Sequence, residues 1–399
     1  SHWNGLSGFW EVLKDAPATK CDLYMRNAHQ DGLKVIARSY LPTQKNSLRR
    51  QQNNLYWKSA ALVTKKLEEI YEYGPLALDD RRFSSDNEIP EESLTQRNLL
   101  LALVRLGRRS AYTKLQNLFL SKQWVLAFYI GRWPNGIQLP VERLRILISP
   151  EGHDWADPFP VKKDDRYFVF FEELAPGESK GHIAMMEIEP NGNQSRPAKV
   201  LEAAYHLSFP YIFEWQENYY MVPETSQNRT IELYRSNSFP YEWHLERVLL
   251  EGVVALDTTL TEINGRWWMF THIREDAFMK NHDELHLFYA ETPLGPWMPH
   301  RRNPVKMDTR SARPAGRIFG WKGDLYRPAQ DCSRRYGYAI SINRIDQIDE
   351  SCYLETEVSK ILPNWSKNIV ATHTINAVDG FLVIDGKLSR PKLRQFTTK

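Results

Sequence analysis

Three carboxylates in this 399-residue sequence sit where solvated surface charges rarely do. Asp157 follows Trp155-Ala156 and precedes Pro158-Phe159. Asp257 follows the apolar run Val253-Val254-Ala255-Leu256 and precedes Thr258-Thr259-Leu260. Glu224 follows Met221-Val222-Pro223. Gathered into one pocket, such a trio suits glycosyl chemistry: one group stays ionised as base or nucleophile, one is kept protonated as general acid, and a third tunes the other two. Each also has a plainer role, since Asp before Pro starts turns and a buried Glu can pair with an arginine.

Gathering them is the task of a repeat. One pattern, an apolar strand, a polar turn and a second apolar or aromatic strand, starts at Asp157, Phe209, Asp257, Arg313 and His373, spaced 52, 48, 56 and 60 residues apart. A period near fifty with hairpin chemistry in each unit predicts a mainly β fold, a five-bladed β-propeller. The outer strands follow each hairpin in HIAMMEI, IELYR, ELHLFYA and YAISIN. QWVLAFYIG (123–131) is a further strand, expected to complete the blade that starts near His373 and so remove the exposed edges. In a radial hairpin the start of the first strand and the end of the second lie at the same end of the axis. Glu172, Glu224, His272 and Gln330 then ring one mouth with Asp157, Asp257 and Arg313, and Asp331 lies one step on.

The fourth unit is basic where the first three are acidic. Arg310, Arg313, Arg327, Arg334 and Arg335 crowd into RSARPAGR and YRPAQDCSRRYG. Arginine forks suit a phosphate or carboxylate, as in a nucleotide-sugar, a glycolipid or an acidic sugar; equally they pair with Asp308, Asp331 and the axial carboxylates. His206 and His373 fall near blade starts and join the candidate ligand-binding set with Glu172, His272, Arg310, Arg313, Arg327 and Asp331. Apart from His373 the fifth unit reads as plain. No histidine or cysteine spacing calls for a metal, and no phosphate loop, serine elbow or cofactor motif is present.

Residues 1–121 differ from the repeats and read as a smaller α+β and helical region ahead of a propeller at 122–399. Strands are expected at 8–13, 22–25 and 33–38, a helix at 54–73 capped by Asn53 or Asn54 and stopped by Gly74, a polar linker at 79–92, and two helices at 93–106 and 110–120, the first with an apolar side of Leu99, Leu100, Leu103 and Leu106. A net charge of +3 gives nucleic acid little bulk attraction. The longest apolar run, 99–104, is too short to cross a bilayer. Three cysteines without signal-peptide features favour a reducing, cytoplasmic setting.

ADPFP with FFEE, HLSFPYIFEW with VPET, LDTTL with GRWWMF, ELHLFYAE with GPW, and SARPAGR with RPAQDCSRRYG together resemble one family. It is the five-bladed propeller at the N-terminus of plant glucosamine inositolphosphorylceramide transferases and of bacterial proteins of surface-polysaccharide synthesis, and the resemblance covers residues 120–390. Residues 8–75 are similar to the linker after a formyltransferase-like domain in some bacterial members. The resemblance implies glycosyl transfer in cell-surface polysaccharide or glycolipid synthesis, with partners from that machinery. In the plant proteins the recognised sugar-transfer domain is separate, and the alternatives are a glycoside hydrolase of the five-bladed-propeller type or a non-catalytic glycan-binding module. More distantly the pattern is similar to the arabinanase, invertase and levansucrase clan of glycoside hydrolases. There the first-blade Asp, matched by Asp157, is base or nucleophile, and an Asp then a Glu follow; here Glu224 precedes Asp257.

Overall fold

In the computed structural model, residues 7–26, 32–74, 95–131, 138–274 and 282–392 are described. Five antiparallel sheets of four or five strands follow one another along the chain. Blade 1 holds Asp154–Lys163, Arg166–Leu174, His182–Ile188 and Ala198–Leu201; blade 2 holds Ser208–Trp215, Asn218–Thr225, Thr230–Ser238 and Glu242–Glu251. Blade 3 is built from Ala255–Ile263, Arg266–Ile273, Glu284–Ala290 and two short outer strands, and blade 4 from Phe319–Trp321, Asp324–Asp331, Ala339–Ile348 and Tyr353–Ile361. Blade 5 joins the two ends of the propeller. Its inner strands Ile375–Val378 and Phe381–Pro391 come from the C-terminal side, and Phe381–Pro391 pairs over its whole length with Leu120–Ile130, as expected for the closing strand.

Each interface between neighbouring blades carries its own apolar cluster. Phe170 with Ile212 and Met221 fills the space between blades 1 and 2, Val222 and Leu233 with Met269 that between 2 and 3, and Phe270 and Leu287 with Ile318 and Tyr353 that between 3 and 4. Ile340 and Ile342 with Leu382 and Ile384 close 4 against 5, and Phe128 and Phe381 with Val169 and Phe171 close 5 against 1. A blade is therefore covered on both faces. That is why its second strand reads as an unbroken apolar run such as Tyr-Phe-Val-Phe-Phe (167–171) and not as a strict alternation.

The first strands of the blades meet at the axis. Asn376 Nδ2 donates to Pro158 O at 2.8 Å, Arg317 Nη2 to Ile212 O at 2.5 Å, and Tyr211 Oη to Leu260 O.

The N-terminal region differs from expectation in three places. The segment expected as a strand at 8–13 is a short helix, α1 (Phe9–Leu13), whose Phe9, Trp10, Val12 and Leu13 are all buried; packing overrides the β-propensity of its aromatics. The next helix, α2 (Leu48–Tyr73), starts a turn and a half earlier than expected, because Ser47 accepts from Arg50 N and supplies the cap; Gly74 ends it as expected. The two expected helices form one, α3 (Gln96–Phe119), running through Gly107, where nothing lies within 4 Å of a would-be Cβ. A glycine there weakens a helix by about 1 kcal/mol, which does not stop it. The linker expected at 79–92 lies outside the described residues. A hairpin of Ala18–Arg26 and Leu33–Pro42 completes the region. It docks at the mouth end of blades 3 and 4: Lys58 bridges Asp283 at 2.6 Å and Glu284 at 2.7 Å, and Thr309 N donates to Tyr40 O at 3.0 Å.

Candidate active site at the axial mouth

In blades 1 to 3 the inner strand makes the same bulge, and its extra residue has a left-handed backbone: Asp157 (φ 52°), Phe209 (φ 45°) and Asp257 (φ 53°). Such a conformation costs an L-residue roughly 1–2 kcal/mol, least for Asp, and it re-aims the side chain relative to the strand. Opposite the bulges stand the second-strand ends, Glu172 across from Ala156, Glu224 across from Ser208 and His272 across from Leu256. Gln330 N donates to Arg313 O at the corresponding place in blade 4, and in blade 5 Asp385 N donates to Thr374 O at a register two residues nearer the turn. Asp385 was not anticipated, and the fifth blade is not plain. Counted from the first strand residue past the turn, Asp385 lies four residues beyond Phe381, where Glu224 lies six beyond Asn218 and His272 six beyond Arg266, so the repeat does not mark it.

The side chains knit together across blades. Arg313 grips Asp257 through Nε and through Nη2 at 3.1 Å, reaches Glu224 Oε2 at 3.5 Å, and donates from Nη1 to His282 Nδ1 at 3.1 Å. Gln330 Nε2 donates to Asp257 at 2.5 Å, and Ser226 Oγ to Glu224 at 2.7 Å. Asp157 accepts from Thr374 Oγ1 at 2.5 Å and lies 3.7 Å from His373 Nδ1, which donates to Asp385 at 2.5 Å. The His373 ring stacks on Trp124 with centroids 4.1 Å apart and meets the Tyr336 ring edge-on. Gly337 permits this, because a Cβ there would lie 2.9 Å from His373. His206 accepts from Gly181 N at Nδ1, 2.8 Å, so its proton sits on Nε2, 3.5 Å from Glu172. Gly181 is needed too: a Cβ would stand 2.8 Å from the Glu172 carboxylate.

Thus Glu224, Asp257, Arg313 and Gln330 form one set and Asp157, His373 and Asp385 another, joined through Tyr336, which lies under the Arg313 guanidinium and against the His373 ring; Glu172 with His206 is tied to this cluster by charge. His272 is buried at its edge, with Nδ1 donating to Glu284 O at 2.6 Å; burial and the Arg313 charge hold it neutral, at about 3. The structure places the other three candidates elsewhere. Arg310 forks onto Asp308 and stacks on Tyr40, Arg327 is buried against Glu355, and Asp331 caps Ser333 and pairs with Lys360 at 2.9 Å. Strand geometry accounts for Arg327: three residues before Gln330 in the same strand, it points to the opposite face.

The mouth is rich in carboxylates. Five of them share it with Arg313 and His373, and all but Glu172 are nearly sealed from solvent. Burial, reinforced by Asp257, pushes Glu224 up to about 8 despite Arg313. Burial pushes Asp157 up to about 6, with Asp257 and Asp385 adding to it and His373 opposing. Glu172 rises well above the usual range, through burial and then the charges of Asp157 and Glu224. For His373 burial works against the cation, but Asp385 and Asp157 outweigh it and raise the imidazole. The mouth at neutral pH therefore combines a protonated Glu224 with an ionised Asp157, one proton donor and one base. Asp157, His373 and Asp385 also bring donor atoms within 4.8 Å of one another, a spacing a cation could bridge, although here those atoms bond each other and Thr374.

Among known proteins, this chain is 34% identical over 207 residues to glucosamine inositolphosphorylceramide transferase 1 of Oryza sativa subsp. japonica, and 35% identical over 206 residues to that of Arabidopsis thaliana. Each match takes in 51% of this chain but only 28% and 27% of the plant proteins, so the chain spans under a third of those relatives. Among solved structures, a family 117 glycoside hydrolase of Zobellia galactanivorans shares 11% identity at a TM-score of 0.44, covering 67% of this chain and 90% of that one. An α-L-arabinofuranosidase of Clostridium thermocellum shares 14% at 0.42, covering 57% and 80%. At such scores these two carry no argument about the site. The sequence match is of another order: the model of the family described as glucosamine inositolphosphorylceramide transferase 1, N-terminal, fits residues 150–378, and the chain belongs to that family.

Proposed function

We propose that the axial mouth is the active site of a carbohydrate-active enzyme that transfers a glycosyl group in cell-surface polysaccharide or glycolipid synthesis. Asp157 acts as base or nucleophile, Glu224 as general acid, and Asp257, held by Arg313 and Gln330, sets the charge around them. The observation that carries this reading is the separation of two neighbouring carboxylic acids into one protonated and one ionised group at neutral pH, the arrangement that glycosidic bond chemistry requires. The plant relatives named glucosamine inositolphosphorylceramide transferases favour transfer over hydrolysis and a phosphate-bearing glycolipid as ligand. Three free thiols suit a reducing, cytoplasmic setting.

One observation favours a second reading, a glycan-binding module: Asp257 is locked by an arginine, as a structural ion pair would be. A product screen on nucleotide-sugars and oligosaccharides decides between them. We expect turnover that falls by about 10²–10⁴ in Asp157→Asn and in Glu224→Gln, the range of acid–base contributions. No turnover on any donor or glycan, or turnover unchanged by Asp157→Asn, overturns the catalytic reading. Retained glycan affinity would then leave the binding module.

A further inference from the structure

Helix α3 carries an apolar stripe that nothing in the described structure covers. Of its 24 residues only Ala102 is buried, while Leu100 is 63% exposed, Leu103 67%, Leu115 53% and Leu118 64%. At about 100° per residue, Leu100, Leu103, Val104, Ala111, Leu115 and Leu118 fall within roughly one third of the circumference, a stripe about 27 Å long. The opposite side is the one that docks: Arg105 Nη1 donates to Leu13 O at 2.5 Å, and Arg109 donates to Val12 O at 2.9 Å and pairs with Asp15 at 2.9 Å. Among the described residues the stripe is thereby turned away from the elements that α3 packs against.

Charge identifies the partner. The helix has five basic residues and no acidic one. Exposed Arg97 and Arg108 lie along one edge of the stripe, and exposed Lys114 sits within it towards the other. An apolar face edged by cations on long flexible stems matches the boundary between acyl chains and anionic headgroups. No helix of the described residues is long and apolar enough to cross a membrane, so the fit is to a surface and not to a span. Position agrees as well. The ribbon formed by Phe381–Pro391 and Leu120–Ile130 runs from Asp385, opposite Leu126, to Pro391, opposite Leu120, and Phe119 ends α3 there. Six residues at about 3.3 Å each place that end of α3 roughly 20 Å beyond the carboxylates, on the mouth side of the propeller.

We propose that α3 lies flat on an anionic lipid surface, apolar stripe inward, and presents the axial mouth to that surface. The proposal concerns α3 and does not depend on what the mouth binds or transforms.

Co-flotation of the full chain with vesicles tests it. We expect binding to phosphatidylcholine vesicles containing phosphatidylserine, little binding to phosphatidylcholine alone, and release at high salt. Leu103→Glu with Leu115→Glu should abolish flotation. Arg97→Glu, Arg108→Glu and Lys114→Glu should each weaken it by roughly fivefold or more. All five positions are exposed, so unchanged circular dichroism and melting would show that the variants fold. Equal flotation with both vesicle types overturns the charge argument. Absence of flotation overturns the proposal, and if the chain then sediments as a dimer that Leu103→Glu dissociates, the stripe is covered by a second copy instead.

Discussion

Blade 4 and the axial mouth each bury an arginine against carboxylates, and the two groups carry opposite charge imbalances. In blade 4, Arg327 forks onto Glu355 at 2.6 and 2.8 Å, Lys306 adds a second cation at 2.6 Å, and Tyr353 donates to the same carboxylate at 2.5 Å. Burial works against the Glu355 anion, but Arg327 and Lys306 outweigh it and hold the acid down at about 2. In the mouth, Arg313 and His373 face five carboxylates, and acids rise to about 6 and about 8. A buried arginine beside an acid is thus no guide to function. The guide is whether the acids are matched: a matched group is finished as structure, whereas an over-supplied one holds protons it can give up.

The largest test of this contrast is removal of the blade 4 cation. Arg327→Met leaves Glu355 buried with only part of its compensation, and it should cost about 3–5 kcal/mol in denaturant unfolding. Glu355→Gln should cost about 3 kcal/mol at pH 7, the equivalent of its depressed titration. Glu224→Gln, which replaces a group already protonated at pH 7, should change stability by less than about 1 kcal/mol, or raise it. A loss as large as that of Glu355→Gln would erase the distinction between the two regions.

Opposite pH dependences follow from the same contrast. From the unfolded value of 4.5 up to about 8 the native chain keeps the Glu224 proton that the unfolded chain has released, so this group lowers stability as pH rises through that window. Glu355 contributes stability that is complete above 4.5 and lost as pH falls towards 2. Melting temperature followed against pH should therefore fall less on the alkaline side in Glu224→Gln than in wild type, and fall less on the acid side in Glu355→Gln. A smaller effect is expected from Gly181→Ala, which presses on Glu172 without touching Asp157 or Glu224 and should lower turnover more than it lowers melting temperature.

Much of this was legible in the sequence. Period, turn chemistry and unbroken apolar runs give the five blades, and strand ends at one axial level bring together Asp157, Glu172, Glu224, Asp257 and Arg313. Arg327 and Asp331 lie odd numbers of steps from Gln330 along one strand and so face away from it, while Arg310, near Arg313 in a basic run, sits in a turn and forks onto Asp308. Asp385 was hidden because blade 5 is assembled from both ends of the propeller, so its hairpin has less aromatic character to mark it. α1 and the extent of α3 depend on packing and capping that propensity does not register.

An excess of buried carboxylates leaves Glu224 protonated at neutral pH while Asp157 beside it is ionised. Carbon-13 NMR titration of labelled glutamate carboxyls measures it without any substrate. We expect a glutamate signal, identified by its loss in Glu224→Gln, that still holds its proton at pH 7 and titrates near 8. A Glu224 carboxyl fully ionised by pH 6 would contradict it.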